Sequence, residues 1–115
     1  FDDTRRSLAE GRRVTNEPGH SSICDAILTP EPGAVTFEIN RRKIAGVAVV
    51  GDAEAAAAVR EAMLSLKLVV EPGGAVGLAA LLAGKIPVAG RTVVVVLSGG
   101  NADPAAYARI VGGAG

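Results

Sequence analysis

The sequence has no tryptophan, one tyrosine, two phenylalanines, one cysteine and one histidine in 115 residues. Each scarcity excludes something. Cys24 has no second cysteine to pair with, so neither a disulfide framework nor a cysteine zinc site is available. His20 has only Cys24, four residues on, and no second histidine, too few ligands for a transition-metal constellation. An excess of charge of one sign is also missing, because 12 Lys and Arg balance 12 Asp and Glu. Without a basic stripe there is no electrostatic footprint for a phosphate backbone, and nucleic acid is set aside as a partner. No apolar run reaches the roughly 18 residues of a membrane helix, since Glu71 and the glycines interrupt the longest candidate at 68–84. A membrane is set aside too. The start, Phe1-Asp2-Asp3-Thr4-Arg5-Arg6, is neither an initiator methionine nor a secretory leader, and reads as part of something longer. With the lone cysteine, this makes the cytoplasm the expected compartment.

What the chain does have is small and aliphatic residues: 49% are hydrophobic, and 15 are glycine. Asp2 to Ala9 reads as a short helix stopped by Gly11. Residues 12–33 carry three prolines and scattered polar residues, so they read as loop with an apolar island at Ile23, Ile27 and Leu28. Such a long irregular stretch is uncommon without a function. Residues 34–46 are ambiguous. Val35, Phe37 and Ile39 alternate as in a strand, whereas Phe37, Arg41 and Ile44 fit a helix capped by Thr36. Residues 47–50 are a short β-branched run, hence a strand. Asp52 then caps a helix over 52–67, with Glu54 in its first turn and Val59, Met63 and Leu66 on one face. A second helix spans 72–83, with Pro72 in its first turn and Gly84 closing it. Val93 to Leu97 is apolar without alternation, as in a parallel strand buried on both faces. Asp103-Pro104 opens a last helix over 104–111, and residues 112–115 fray. Strands alternating with helices predict an α/β fold.

Ligands of open parallel sheets bind beyond the carboxyl ends of the strands, which directs attention to Ser98-Gly99-Gly100-Asn101. Its glycines admit a ligand close to the backbone, and its hydroxyl and amide supply hydrogen bonds; the plainer reading is a tight strand-to-helix turn. Glu71-Pro72-Gly73-Gly74 follows an apolar run and opens a helix, but the dinucleotide fingerprint and the P-loop spacing are both absent. Its glycines read as helix-packing residues. Glu71, between Val70 and Pro72, is expected to be buried and to need a partner. Asp2 and Asp3 read as surface residues complementing a helix dipole, with a hard cation on carboxylate and carbonyl oxygens as the alternative. Cys24 reads as a small buried residue, His20 as solvated, and Arg41-Arg42-Lys43 as a solvated face.

Three segments together carry a resemblance. Ser22-Ile23-Cys24-Asp25-Ala26, then Leu66 to Ala75 containing Glu71-Pro72-Gly73-Gly74, then Val93 to Leu97 followed by Ser98-Gly99-Gly100-Asn101-Ala102-Asp103, resemble in order and spacing the C-terminal part of the threonine/serine dehydratases and serine racemases. These are pyridoxal-phosphate enzymes of fold type II, the tryptophan synthase β-like group. The similarity runs from Phe1 to about Val111. It implies that residues 1–115 are a C-terminal fragment of one catalytic domain, with no separate second domain. It also implies lyase chemistry in a full-length parent: dehydration and deamination of L-threonine or L-serine to a 2-oxo acid and ammonia. Racemisation of serine or threonine and dehydration of a hydroxyaspartate are alternatives of the same family. A non-catalytic small-molecule-binding α/β module is the alternative from another class.

By the same resemblance, Ser98 faces the pyridine nitrogen of the cofactor, and Gly99 and Gly100 let the backbone approach its ring. Glu71 is a supporting polar group, and Ala26 lines the pocket where relatives often have glycine. The Phe1 carbonyl and Asp3 match two ligands of a divalent-cation segment, for Mg or Ca. The Ser-x-Lys motif of the cofactor lysine is not in this sequence, and Lys43, Lys67 and Lys85 do not match it. No catalytic residue is therefore assigned here, and the fragment alone is expected to be inactive. A small amino-acid substrate is implied, and a homo-oligomer, a dimer, is implied for the parent.

Overall fold

The computed structural model describes residues 1–113, and within it the chain forms two compact units. Unit 1 comprises residues 1–21 and 28–49, and unit 2 comprises 22–27 together with Val50 onward. No helix among the described residues is long and apolar enough to cross a membrane.

Unit 1 contains α1 (Asp3–Glu10) and α2 (Ala34–Lys43). Helix α1 stops at Gly11, whose φ of 69° is a left-handed conformation that glycine adopts without strain. The ambiguity over 34–46 resolves as helix. Its N-cap is Gly33 and not Thr36; the Thr36 hydroxyl instead donates back to the Gly33 carbonyl at 3.0 Å. Phe37 is the buried anchor of α2, while Val35 and Ile39 remain exposed. Arg41 pairs with Glu38 at 2.7 Å on a solvated face. With so few apolar side chains, polar groups hold residues 12–21 and 28–33 within this unit. The Val14 N–H donates to the buried Ser7 Oγ at 2.8 Å, the Asn16 N–H to the Pro30 carbonyl at 2.7 Å, and Arg13 Nε to the Pro32 carbonyl at 2.7 Å.

Unit 2 is built on alanine. Helix α3 (Asp52–Glu61) continues into a π-helical turn (Ala62–Leu66), and Ala55, Ala58, Val59 and Ala62 form its buried stripe. These positions follow the i, i+3, i+4, i+7 rule, and small side chains let the backbones approach closely. The expected face of Val59, Met63 and Leu66 holds only in part: the wider π turn rotates the later residues, and Leu66 is left exposed. The helix is capped by Gly51 and not by Asp52; the Gly51 N–H donates to Glu54 Oε2 at 2.7 Å. Lys85 Nζ meets the same carboxylate oxygen at 2.7 Å, and these two contacts hold the Glu54 carboxyl below its ordinary pKa.

The predicted helix over 72–83 is a 3₁₀ turn (Pro72–Ala75) followed by α4 (Val76–Leu82). It ends in a Schellman motif. Lys85 N–H donates to the Ala80 carbonyl at 3.0 Å and Gly84 N–H to the Leu81 carbonyl at 3.1 Å, with Gly84 left-handed at a φ of 67°. Helix α5 (Pro104–Gly112) starts as the sequence predicts. Pro104 occupies its first turn, and Asp103 Oδ1 accepts from the Ala106 N–H at 2.7 Å. Replacing Asp103 with alanine is expected to lower stability by about 1 kcal/mol, read as a shift of the urea unfolding midpoint. Of the expected fraying at 112–115, Gly112 is the last helical residue and Gly113 its left-handed cap; 114 and 115 lie outside the described residues.

The two predicted strands are not assigned as ladders. No β-ladder forms among the described residues, neither at 47–50 nor at 93–97. A strand requires a neighbour to take its N–H and C=O groups in a ladder. Burial of 93–97 on both faces is corrected. Val95 and Leu97 pack on the core, whereas Val94 is 87% and Val96 76% exposed. The run thus alternates, with one covered face and one open face.

Candidate cofactor-binding site

The loop after residues 93–97 is locked to the start of the 3₁₀ turn by backbone alone. Ser98 N–H donates to the Gly74 carbonyl at 3.4 Å, and Glu71 N–H donates to the Gly99 carbonyl at 3.1 Å. The approach is so close that a Cβ on Gly74 would lie 1.5 Å from the Ser98 carbonyl oxygen. Gly74 has no left-handed φ, so its requirement for glycine is one of space. Gly99 differs: its φ is 76°, and a Cβ there would stand 2.2 Å from Glu71 Oε1. A Cβ on Gly100 would meet the Val69 carbonyl at 3.0 Å, so this glycine too is pressed against backbone.

The other wall is the 3₁₀ turn Asp25–Ile27. The Ala26 methyl lies 3.5 Å from where a Gly73 side chain would begin. Ala26, Glu71, Ser98, Gly99 and Gly100, far apart in sequence, therefore gather around Gly73 and Gly74 in unit 2. Ser98 is exposed at the end of its segment, and Glu71, expected to be buried, is half-buried. Glu71 also borders a cavity of about 490 Å³ whose wall includes Asp25, Asp52, Asn101 and Tyr107.

The expectation that Gly73 and Gly74 serve helix packing misses the contact of Gly74 with the Ser98 loop and the approach of Ala26 to Gly73. Spacing alone carries no signal for that contact, because it joins residues more than twenty positions apart. The link from Ser22 to Asp52 likewise has no signal in the spacing. The Asp52 carboxylate accepts from the Ser22 hydroxyl through Oδ1 and from the Ile23 N–H through Oδ2 at 3.2 Å.

Cys24 is buried, as expected, at 6% exposure. Burial raises its thiol pKa above the ordinary 9.0, the Asp52 and Asp25 charges add to the rise, and the Ser22 hydroxyl opposes it. A folded-state pKa above the unfolded one favours the folded protein fully below about pH 9 and less as pH rises beyond it. Cys24 should accordingly resist iodoacetamide at pH 8 until the protein is denatured, as followed by mass spectrometry. Rapid labelling of the folded protein would contradict this.

In unit 1, Asp3 is not a surface residue: it is 4% exposed, and its Oδ1 accepts from Asn16 Nδ2 at 2.7 Å. Asp2 is held by Arg6 and Arg5, which depress its carboxyl pKa, Arg6 the more strongly. Arg6 also reaches Asn16 Oδ1 at 2.6 Å. Among the described residues no group of three or more His, Cys, Asp or Glu side chains is placed to hold a metal. His20 is exposed. Of the lysines, Lys67 Nζ caps the Leu64 carbonyl at 2.5 Å, Lys85 pairs with Glu54, and Lys43 is exposed at the end of α2.

Comparison with known proteins identifies the family of the chain. The profile of the family described as "Pyridoxal-phosphate dependent enzyme" matches residues 1–99. The chain is 37% identical over 105 residues to an L-threonine ammonia-lyase of Thermotoga maritima, covering 91% of this chain and 26% of that protein. It is 35% identical over 111 residues to an L-threo-3-hydroxyaspartate ammonia-lyase of a Pseudomonas species, covering 96% of this chain and 34% of the relative. Among solved structures, the serine racemase from Dictyostelium discoideum superposes with a TM-score of 0.79 at 34% identity, over 89% of this chain and 32% of that one. A threonine deaminase gives 0.81 at 36% identity, over 89% and 34%. The chain thus spans about a quarter to a third of the length of the relatives it matches. A profile match over 99 residues, spanning both units, settles its membership: the chain belongs to the pyridoxal-phosphate dependent enzyme family.

Proposed function

We propose that this chain is the C-terminal portion of a fold type II pyridoxal-phosphate enzyme that dehydrates and deaminates L-threonine or L-serine to a 2-oxo acid and ammonia. Both units would then belong to one catalytic domain, and the longer enzyme would act as a homodimer. The observation that carries the reading is the docking of the Ser98 loop on Gly74, which brings Ser98, Glu71 and Gly99 together. The relatives named above support the reaction class.

The residues fit the cofactor on chemical grounds. A flat heteroaromatic ring needs a wall of bare backbone and a polar atom at its edge, and the site has glycine backbone with one exposed neutral hydroxyl. When bound, pyridoxal phosphate supplies an electron-withdrawing ring that stabilises negative charge at the α-carbon of an amino acid. Ser98 would meet the ring nitrogen. A hydroxyl does not hold that nitrogen protonated as a carboxylate would, which keeps electron withdrawal moderate and suits departure of a β-hydroxyl. Gly99 and Gly100 would admit the ring edge, Ala26 would close the side, and Glu71 would orient polar groups nearby. The lysine that would hold the cofactor covalently is assigned to residues outside this chain.

For the cation, the Phe1 carbonyl and Asp3 supply two hard oxygen donors, a partial set for Mg or Ca, whose remaining ligands would come from elsewhere. Adding Mg²⁺ or Ca²⁺ to the longer enzyme should raise its melting temperature, and Asp3→Asn should abolish the rise. A flat melting temperature would remove Asp3 from the ligand set. The main reading is tested by purifying the longer enzyme and following visible cofactor absorbance and 2-oxo acid release from L-threonine and L-serine. Absence of any cofactor band would overturn it. A bound cofactor with inversion of serine and no oxo acid would move the enzyme to the racemases.

A further inference from the structure

We infer that Ser22 and Asp52 form a positioning clamp for the Ala26 wall of the site, an inference that rests on the cofactor reading above. Segment 22–27 buries one side chain, Cys24, while Ile23 is 38% and Ile27 46% exposed. Hydrogen bonds complete its placement. Asp52, in the first turn of α3, takes the Ser22 hydroxyl on one carboxylate oxygen and the Ile23 N–H on the other, and Ser22 Oγ in turn accepts the Cys24 N–H at 3.1 Å. The Cys24 carbonyl accepts the Ile27 N–H at 3.0 Å, closing the 3₁₀ turn that presents Ala26 to Gly73. The chain of contacts runs from α3, the most firmly packed helix of the unit, to the residue beside the Gly73-Gly74 turn on which Ser98 docks. Asp52, Ile23 and Asp25 also line the cavity that Glu71 borders, so the clamp sits at the site's margin. Asp52 does not cap α3, since Gly51 and Glu54 perform that task, and its carboxylate is committed to the loop.

The test uses the longer enzyme with cofactor. Ser22→Ala removes the central hydroxyl without touching α3, and is expected to weaken cofactor binding about tenfold by fluorescence titration while the melting temperature moves little. Amide exchange at Ile23 and Cys24 should rise by a similar factor in the cofactor-free protein. Ser22→Thr should restore both values. Asp52→Asn should reproduce the alanine variant, and the double variant should be no worse than either single one, because the two residues act as a unit. Unchanged cofactor affinity in Ser22→Ala, failure of Ser22→Thr to restore it, or losses in affinity that simply follow a lowered melting temperature would each overturn the clamp. If the wild-type enzyme itself binds no cofactor, the functional reading fails and the clamp's role with it, a result told apart because the variants play no part in it.

Discussion

Gly74→Ala should be the most damaging small substitution in the chain, lowering stability by about 3 kcal/mol and abolishing cofactor retention in the longer enzyme. The added methyl would begin 1.5 Å from the Ser98 carbonyl oxygen and 3.2 Å from Val70 Cγ1. The obstacle is backbone, which has no rotamer to change. The Ser98 loop is also tethered on either side, by the Glu71 N–H to Gly99 bond and by the press of Gly100 on the Val69 carbonyl, so it must leave as a block. Gly77→Ala is the matched control. Its methyl would lie 3.4 Å from Val95 Cγ1, an ordinary contact, and alanine favours the helix by roughly 0.5–1 kcal/mol over glycine. Thermal or urea unfolding of the two variants should therefore diverge in sign. Equal stability of Gly74→Ala and wild type would mean that the loop does not dock as described.

Ser98→Asp is expected to leave the fold intact and, under the proposed function, to reduce elimination by roughly a hundredfold in the longer enzyme. Ser98 is exposed, and an exposed substitution away from packing changes stability by about 0.5 kcal/mol or less. The loss would be electronic. Under the proposed function, a carboxylate against the pyridine nitrogen would keep it protonated and strengthen electron withdrawal, altering the balance that a neutral hydroxyl would maintain. Ser98→Ala, which removes the partner without adding charge, should fall between aspartate and wild type. Initial rates of 2-oxo acid release and the absorbance of the bound cofactor report the two effects separately. Turnover unchanged in Ser98→Asp would remove Ser98 from the ring nitrogen.

Helix ends were the most legible feature of the chain. Gly11, Gly84 and the Asp103-Pro104 start act through their own backbones or through neighbours three or four residues away, so the cause lies within a few positions of the effect. Thr36 and Asp52 looked equally like caps, yet Gly33 and Gly51 cap those helices, because more than one residue near each start can satisfy the same orphan N–H groups. The π turn at 62–66 gave no advance sign, and it displaced the predicted face of α3. The valine run 93–97 was legible as apolar but not as strand, since strand character belongs to a pair of segments and not to one.

By itself the sequence determined the helix ends at Gly11, Gly84 and Asp103-Pro104 and the identities of the small residues that meet at the site. Those depend on residue type and on neighbours a few positions away. Only the tertiary structure decided that Gly74 supports Ser98, that Glu71 is half-buried beside Gly99, that Asp3 is buried against Asn16 and that Asp52 serves the 22–27 loop. Each of these joins residues at least 13 positions apart, where no periodicity or capping rule reaches and close packing and hydrogen-bond satisfaction select the partner.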